Sequence, residues 1–348
     1  MTLPFIIKAG ASAKARLLAE GFSPTLFSAM LGASGGPKWF ILSGLDRYLA
    51  AEFLPASQRP IDLLGSSVGG WRMAAHASDK PVAALTRFRD FYHHLTYSKN
   101  ADAREISDSS RAMVQTLLAE QGAATIVNNP QRRLNIITAG CKGLVRFERK
   151  PVQLLGLGLA AAANLLSRRQ LQHFFTRTVL HAGAKPHWFS TTDLPTEYLP
   201  LSTHNLAAAL EATGAIPMAL EGVTMPGSRQ PLHRDGGIID YHFDLPLQPD
   251  GLVLYPHFYD RAIPGWFDKS LRWRQPQAQH YDQVVMIAPS PTLVASLPYQ
   301  KIADRKDFVH LDDKTRIAYW QAVIDASNRL ADSFAASLKN DSWRQALL

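Results

Sequence analysis

The chain has 348 residues, of which 46% are hydrophobic and 19% charged. That balance supports a large core and excludes disordered, collagen-like and disulfide-scaffold classes. Lys and Arg outnumber Asp and Glu by 37 to 29, a net charge of +8, which favours an anionic partner without choosing among a lipid surface, a phosphate ester and nucleic acid. The single cysteine, Cys141, cannot close an internal disulfide, which fits a reducing compartment.

At ~150 residues per domain the length allows about two domains, but α/β folds of this size often form one. The expectation is one domain over residues 1–348, with an elaborated middle and a closing helical tail. The opening stretch Met1–Gly10, MTLPFIIKAG, lacks the basic start and long apolar run of a secretory signal. Thr25–Met30 (TLFSAM) reads as a buried strand. A glycine-rich turn, Leu31–Pro37, follows, and then Trp39, Phe40, Leu42, Leu45 and Leu49 recur near helical spacing. The pattern repeats with a strand at Ile61–Leu64, a turn at Gly65–Gly70 and a helix through Trp71–Ala77. Further strands are predicted at Leu134–Thr138, Leu252–Tyr255 and Gln283–Ile287, and an amphipathic helix over Thr315–Leu338. Strands alternating with helices predict a three-layer α/β/α sandwich with a mainly parallel central sheet.

The longest apolar stretch, Val152–Leu166, is shorter than the ~20 residues that a membrane-spanning helix needs. One reading is a buried helix. The other is a flap or interfacial helix at the mouth of a site, with Lys150 before it and the pair Arg168 and Arg169 after it as a basic flank for anionic headgroups.

Three motifs bear on chemistry. Gly65-Ser66-Ser67-Val68-Gly69 matches G-x-S-x-G between a predicted strand and a predicted helix. A nucleophile on such a sharp turn needs small neighbours two residues either side, and a helix N-terminus favours developing negative charge. The competing reading is a plain glycine turn. Gly32-Ala33-Ser34-Gly35-Gly36-Pro37-Lys38 also lies between strand and helix. It fits neither the Walker nor the dinucleotide pattern, and reads either as an oxyanion hole from Gly35 and Gly36 or as an ordinary turn, with Lys38 as an anion contact. Asp235-Gly236-Gly237 displays a carboxylate on a tight loop, and by itself reads most simply as a type I′ hairpin turn. The histidines show no H-E-x-x-H spacing, no cysteine pair exists, and no nucleic-acid platform is recognisable.

Taken together, a glycine-rich loop, a G-x-S-x-G and a later D-G-G resemble the patatin-like phospholipase family, whose pattern is G-G-G-x-[RK]-G, G-x-S-x-G and D-G-[GA]. The resemblance runs from about Leu26 to Asp240 and includes the small-residue segment Ala207–Leu220. It implies a Ser67–Asp235 dyad without histidine, an oxyanion hole from the N–H groups of Gly35, Gly36 and Val68, and motif glycines Gly65, Gly69, Gly236 and Gly237. It further implies hydrolysis of carboxylic esters of lipids through an acyl-enzyme, with no metal or organic cofactor. The sequence departs from the pattern at Ser34 and Trp39, and Arg234 precedes the acid, where proximity would lower its pKa. Two alternatives stand beside this reading: a catalytically weak or silent member that binds lipid or protein, and a histidine-assisted esterase using His257, His280 or His310. The expected partners are an acyl-ester substrate and an anionic membrane surface, not nucleic acid. The expected location is cytoplasmic, or peripheral at a membrane. Oligomeric state is not legible.

Overall fold

The computed structural model describes residues 3–118 and 122–348, so Met1 and Thr2 of the opening stretch lie outside the described residues. Ten strands form one sheet: β1 Phe5–Ala9, β2 Phe27–Gly32, β3 Ile61–Ser66, β4 Arg132–Cys141, β5 Phe175–His181, β6 Thr196–Pro200, β7 Val223–Thr224, β8 Leu232–Asp235, β9 Leu252–Pro256 and β10 Val284–Pro289. The main path runs β1-β10-β9-β2-β3-β4-β5-β6. From β10 to β4 every neighbouring pair is parallel, while β1 and β5 join antiparallel on either side. Every residue of β2, β9 and β10 is buried, so both faces of the sheet's centre are covered. The architecture is α/β with a mainly parallel central sheet.

The run of apolar residues in β2, β3, β9 and β10 is what a strand covered on both faces requires. Observed bounds differ from expectation in one consistent way. The strand expected at Leu134–Thr138 extends over Arg132–Cys141, because β4 must reach past the end of β3. Residues Arg132–Ile137 pair with β3, and Thr138–Gly140 pair with β8. Since β5 runs along Asn135–Cys141 on the other side, β3 and β8 share one edge of β4, end to end.

The predicted helix after the glycine loop starts as a 3-10 helix over Gly36–Leu42 and becomes α-helical at Ser43–Tyr48. The closing helix spans Asp313–Lys339, and the Asp312 carboxylate caps it by accepting from Thr315 N at 2.9 Å. The Val152–Leu166 stretch belongs to the helix Lys150–Leu166, and it is not a buried helix: five of its leucines are exposed. Nor do both following arginines form a basic flank. Arg169 is exposed, whereas Arg168 turns inward to Asp240 and Asp193 at 3.1 and 3.5 Å. No described helix is long and apolar enough to cross a membrane.

Candidate active site

Ser67 follows the last residue of β3 and precedes the helix Val68–Ala77. Its backbone takes φ 56 and ψ −134, a strained conformation for a residue with a side chain, worth ~1–3 kcal/mol. Three glycines let the turn form. A Cβ on Gly69 would lie 1.8 Å from Gly32 O, and one on Gly65 would lie 2.4 Å from Gly69 O. The start of the Val68–Ala77 helix therefore packs backbone to backbone on the end of β2. That contact, not flexibility, is why the motif carries glycine on both sides of the serine.

Asp235 closes β8 opposite Thr138, one residue beyond the Ile137 that pairs with Ser66. The Ser67 hydroxyl donates to Asp235 Oδ2 at 2.8 Å, and Gly237 N–H donates to Oδ1 at 2.7 Å. Neither Gly236 nor Gly237 has a left-handed φ and the pair opens a 3-10 turn, so the D-G-G segment is not a type I′ hairpin. A Cβ on Gly236 would meet Ile137 O at 2.1 Å, which is why glycine follows the acid. Both Ser67 and Asp235 are 7% exposed: accessible, yet largely out of water. Burial raises the pKa of Asp235 above the usual carboxylate range, against the bonds from Ser67 and Gly237 and the charges of Arg305 and Lys269. Arg234 does not lower it. Neighbours on a strand point to opposite faces, and the Arg234 guanidinium bonds Glu148 at 2.8 Å.

Two hydroxyl side chains, Thr213 outside the three motifs and Ser34 within the glycine loop, hold the turn. Thr213 Oγ1 accepts from Ser67 N at 2.9 Å and donates to Ile137 O at 2.6 Å. It lies in the helix Leu206–Gly214, inside the small-residue segment, whose following residue Ala215 accepts from Asp235 N at 3.0 Å. Ser34, the first departure from the family pattern, donates to Ser66 O at 3.1 Å and ties the glycine loop to the end of β3. Trp39, the second departure, is buried, stacks on Phe88 at 4.4 Å and donates from Nε1 to Asp46 at 2.6 Å. Asp46 also takes two bonds at 2.8 Å from Arg72 of the Val68–Ala77 helix. One buried carboxylate thus braces the glycine-loop helix against the helix that follows Ser67.

The site opens on a cleft of about 1030 Å³. Gly35, Gly36 and Lys38 line it on one side, and Ile216, Pro217, Ile238 and Trp266 give it apolar walls. Gly36 has φ +58, and a Cβ there would press on Arg305 at 3.1 Å. Val68 is the first residue of its helix, where N–H groups have no acceptor inside the helix. Lys38 pairs with Asp304. Four other cations line the cleft with no side-chain hydrogen bond or ion pair among the described residues: Arg261, Lys269, Arg305 and Lys306. Lys269 keeps solvent contact as a residue, and its ammonium end lies 3.9 Å over the Tyr241 ring. The protein packed around that end, with repulsion from Arg305 and Lys38, brings its pKa down to about 7.

None of the histidines weighed for an esterase triad lines the Ser67 cleft. His257 is buried and accepts from Tyr259 N at 3.0 Å, His280 bonds Asp244 at 2.7 Å, and His310 ends the short helix Asp307–His310. Among the described residues no group of three or more His, Cys, Asp or Glu is arranged to hold a metal ion.

No known family matches the chain, and no curated relative does. Among solved structures, the crystal structure of VipD from Legionella pneumophila matches 88% of this chain and 67% of its own at 11% identity, with a TM-score of 0.34. A likeness that remote has no weight for the chemistry, which is read from the site itself.

Proposed function

We propose that the protein is a serine acyl hydrolase acting on carboxylic esters through Ser67 and Asp235. The observation that carries this reading is the 2.8 Å bond between the two side chains on a strained strand-to-helix turn at a cleft. Asp235 takes the Ser67 proton as Oγ bonds to the ester carbonyl carbon. The N–H groups of Gly35, Gly36 and Val68 are the candidate donors to the resulting oxyanion. The carbonyl reforms, the alcohol oxygen leaves with the proton held by Asp235, and an acyl-Ser67 remains. Water then attacks the acyl carbon, giving its proton to Asp235, and the carboxylic acid departs as Ser67 regains its proton. A carboxylate held above its usual pKa is, once ionised, a better base than an ordinary aspartate. Apolar walls beside four cations without an ion pair fit an ester that joins an acyl chain to an anionic group.

The test is covalent labelling with a fluorophosphonate, which reacts with activated serines. The expected result is one adduct, mapped to Ser67 and lost in Ser67→Ala. No labelling, or labelling that survives in Ser67→Ala, would overturn the reading.

A further inference from the structure

The helix Lys150–Leu166 buries a narrow face made of Gln153, Gly156, Leu157, Ala160 and Asn164. A Cβ on Gly156 would lie 2.8 Å from Val145 N, so the small residues serve close packing on that side. The opposite face is apolar and open. Leu154, Leu155, Leu159, Leu165 and Leu166 are 48–86% exposed. Phe147, just before the helix, and Trp273, next to the Arg274 that donates to Asn164 O at 2.7 Å, are exposed as well. Of twelve exposed large hydrophobic side chains among the described residues, five lie on this one helix. That concentration is unlike the single scattered apolar residues of an ordinary surface.

The rim of the patch is basic. Arg146, Arg149, Lys150, Arg169 and Arg272 are exposed, and none forms an ion pair among the described residues. The one acid in residues 142–170, Glu148, is already taken by Arg234. At ~1.5 Å per residue the helix is about 25 Å long and apolar on one side only, the form of a helix that lies in a lipid interface. Its inner side holds the walls of the Ser67 cleft. Gln153 Oε1 accepts from Met218 N at 2.9 Å, beside Ile216 and Pro217. Asn164 donates to Asp268 at 2.7 Å, between Trp266 and Lys269.

We propose that this helix docks the protein in plane onto an anionic bilayer, with its leucines among the acyl chains and its arginine and lysine rim on the headgroups. Docking does not depend on Ser67 reacting, so its failure and the failure of the hydrolase reading are distinguishable.

The test is co-sedimentation with phosphatidylglycerol-containing vesicles and with pure phosphatidylcholine vesicles. Wild type is expected to bind the anionic vesicles at low salt and to release as salt rises. Leu155→Glu with Leu159→Glu should abolish binding while leaving the thermal melt in place, since both positions are exposed. Arg149→Glu with Lys150→Glu should weaken binding at least about 30-fold, because each cation near such a surface contributes roughly a factor of five. A fluorophore on Leu159→Cys should shift to the blue on binding, and the buried Cys141 leaves that label selective. No binding to anionic vesicles at low salt, or equal binding by the leucine variant, would overturn the proposal. So would a dimer that Leu159→Glu breaks and vesicles leave intact, which would assign the face to a second copy of the chain.

Discussion

Ser66 and Asp235 stand on consecutive rungs of one edge of β4, opposite Ile137 and Thr138. The parallel strand that delivers the serine stops where the antiparallel strand that delivers the acid begins. The spacing of the two reactive side chains is therefore set by a backbone ladder and not by loops, which tolerates little displacement.

The proposed mechanism puts both side chains in one proton transfer, so their losses should overlap. Ser67→Ala and Asp235→Asn are each expected to lower kcat on a short-chain ester by at least ~10³-fold, and the double variant to be no worse than the poorer single one. Initial rates on the three variants check this. Multiplying losses would mean that the two residues act separately.

Thr213 is a positioning residue, since it touches the Ser67 backbone and not the reacting atoms. Thr213→Val keeps the shape and removes both bonds, leaving Ser67 N–H buried without its acceptor. A loss of about 1–3 kcal/mol in stability is expected. Thr213→Ser should restore the melting temperature and kcat together. A mere packing role would leave kcat unchanged in Thr213→Val while the melt fell.

The pH profile follows from two shifts. Asp235 must be ionised to accept the serine proton, and its raised pKa makes activity fall on acidification earlier than an ordinary aspartate would. Lys269 loses its charge as pH rises through about 7, so affinity for an anionic ester should fall above that pH. Lys269→Met should raise KM for the anionic ester at pH 6 and flatten the alkaline decline, with little change for a neutral ester. Profiles of kcat/KM for both esters on both proteins provide the check.

Two glycine substitutions should differ in sign. Gly69→Ala forces a Cβ to 1.8 Å from Gly32 O, against backbone that cannot turn aside, and is expected to cost about 3 kcal/mol. Gly158→Ala meets nothing within 4 Å on the exposed face of its helix and should stabilise by up to about 1 kcal/mol. Chemical denaturation of the two variants measures both.

The strands of the sheet's centre were legible because both their faces are largely buried, which makes each a predominantly apolar run. β5 and β8 were not. FTRTVLH and LHRD carry charge, and they are strands because those charges are paired inside: Arg177 bonds Asp240 at 2.6 Å and Asp193 at 2.7 Å, and Arg234 bonds Glu148. Pairing across long sequence separations leaves no local periodicity. For the same reason the serine turn and the acid could be located by motif, whereas Thr213, Arg305 and Lys269 could not. Their part in the site comes from tertiary placement alone. The segment beyond Asp240, which matched no motif, supplies β9, β10 and four cleft cations.

The position of β9 between β10 and β2 also governs how the chain reaches its fold. During synthesis β2 emerges with one side of its ladder unsatisfied, and its partner follows only after β3 to β8 have been made. At about 5–20 residues per second that interval is roughly ten seconds or more. The nascent chain must carry an open, wholly apolar strand edge through that time, a template for pairing with other chains. Slow refolding dominated by long-range pairing, and a need for chaperone cover while the second half is translated, follow from where one five-residue strand sits.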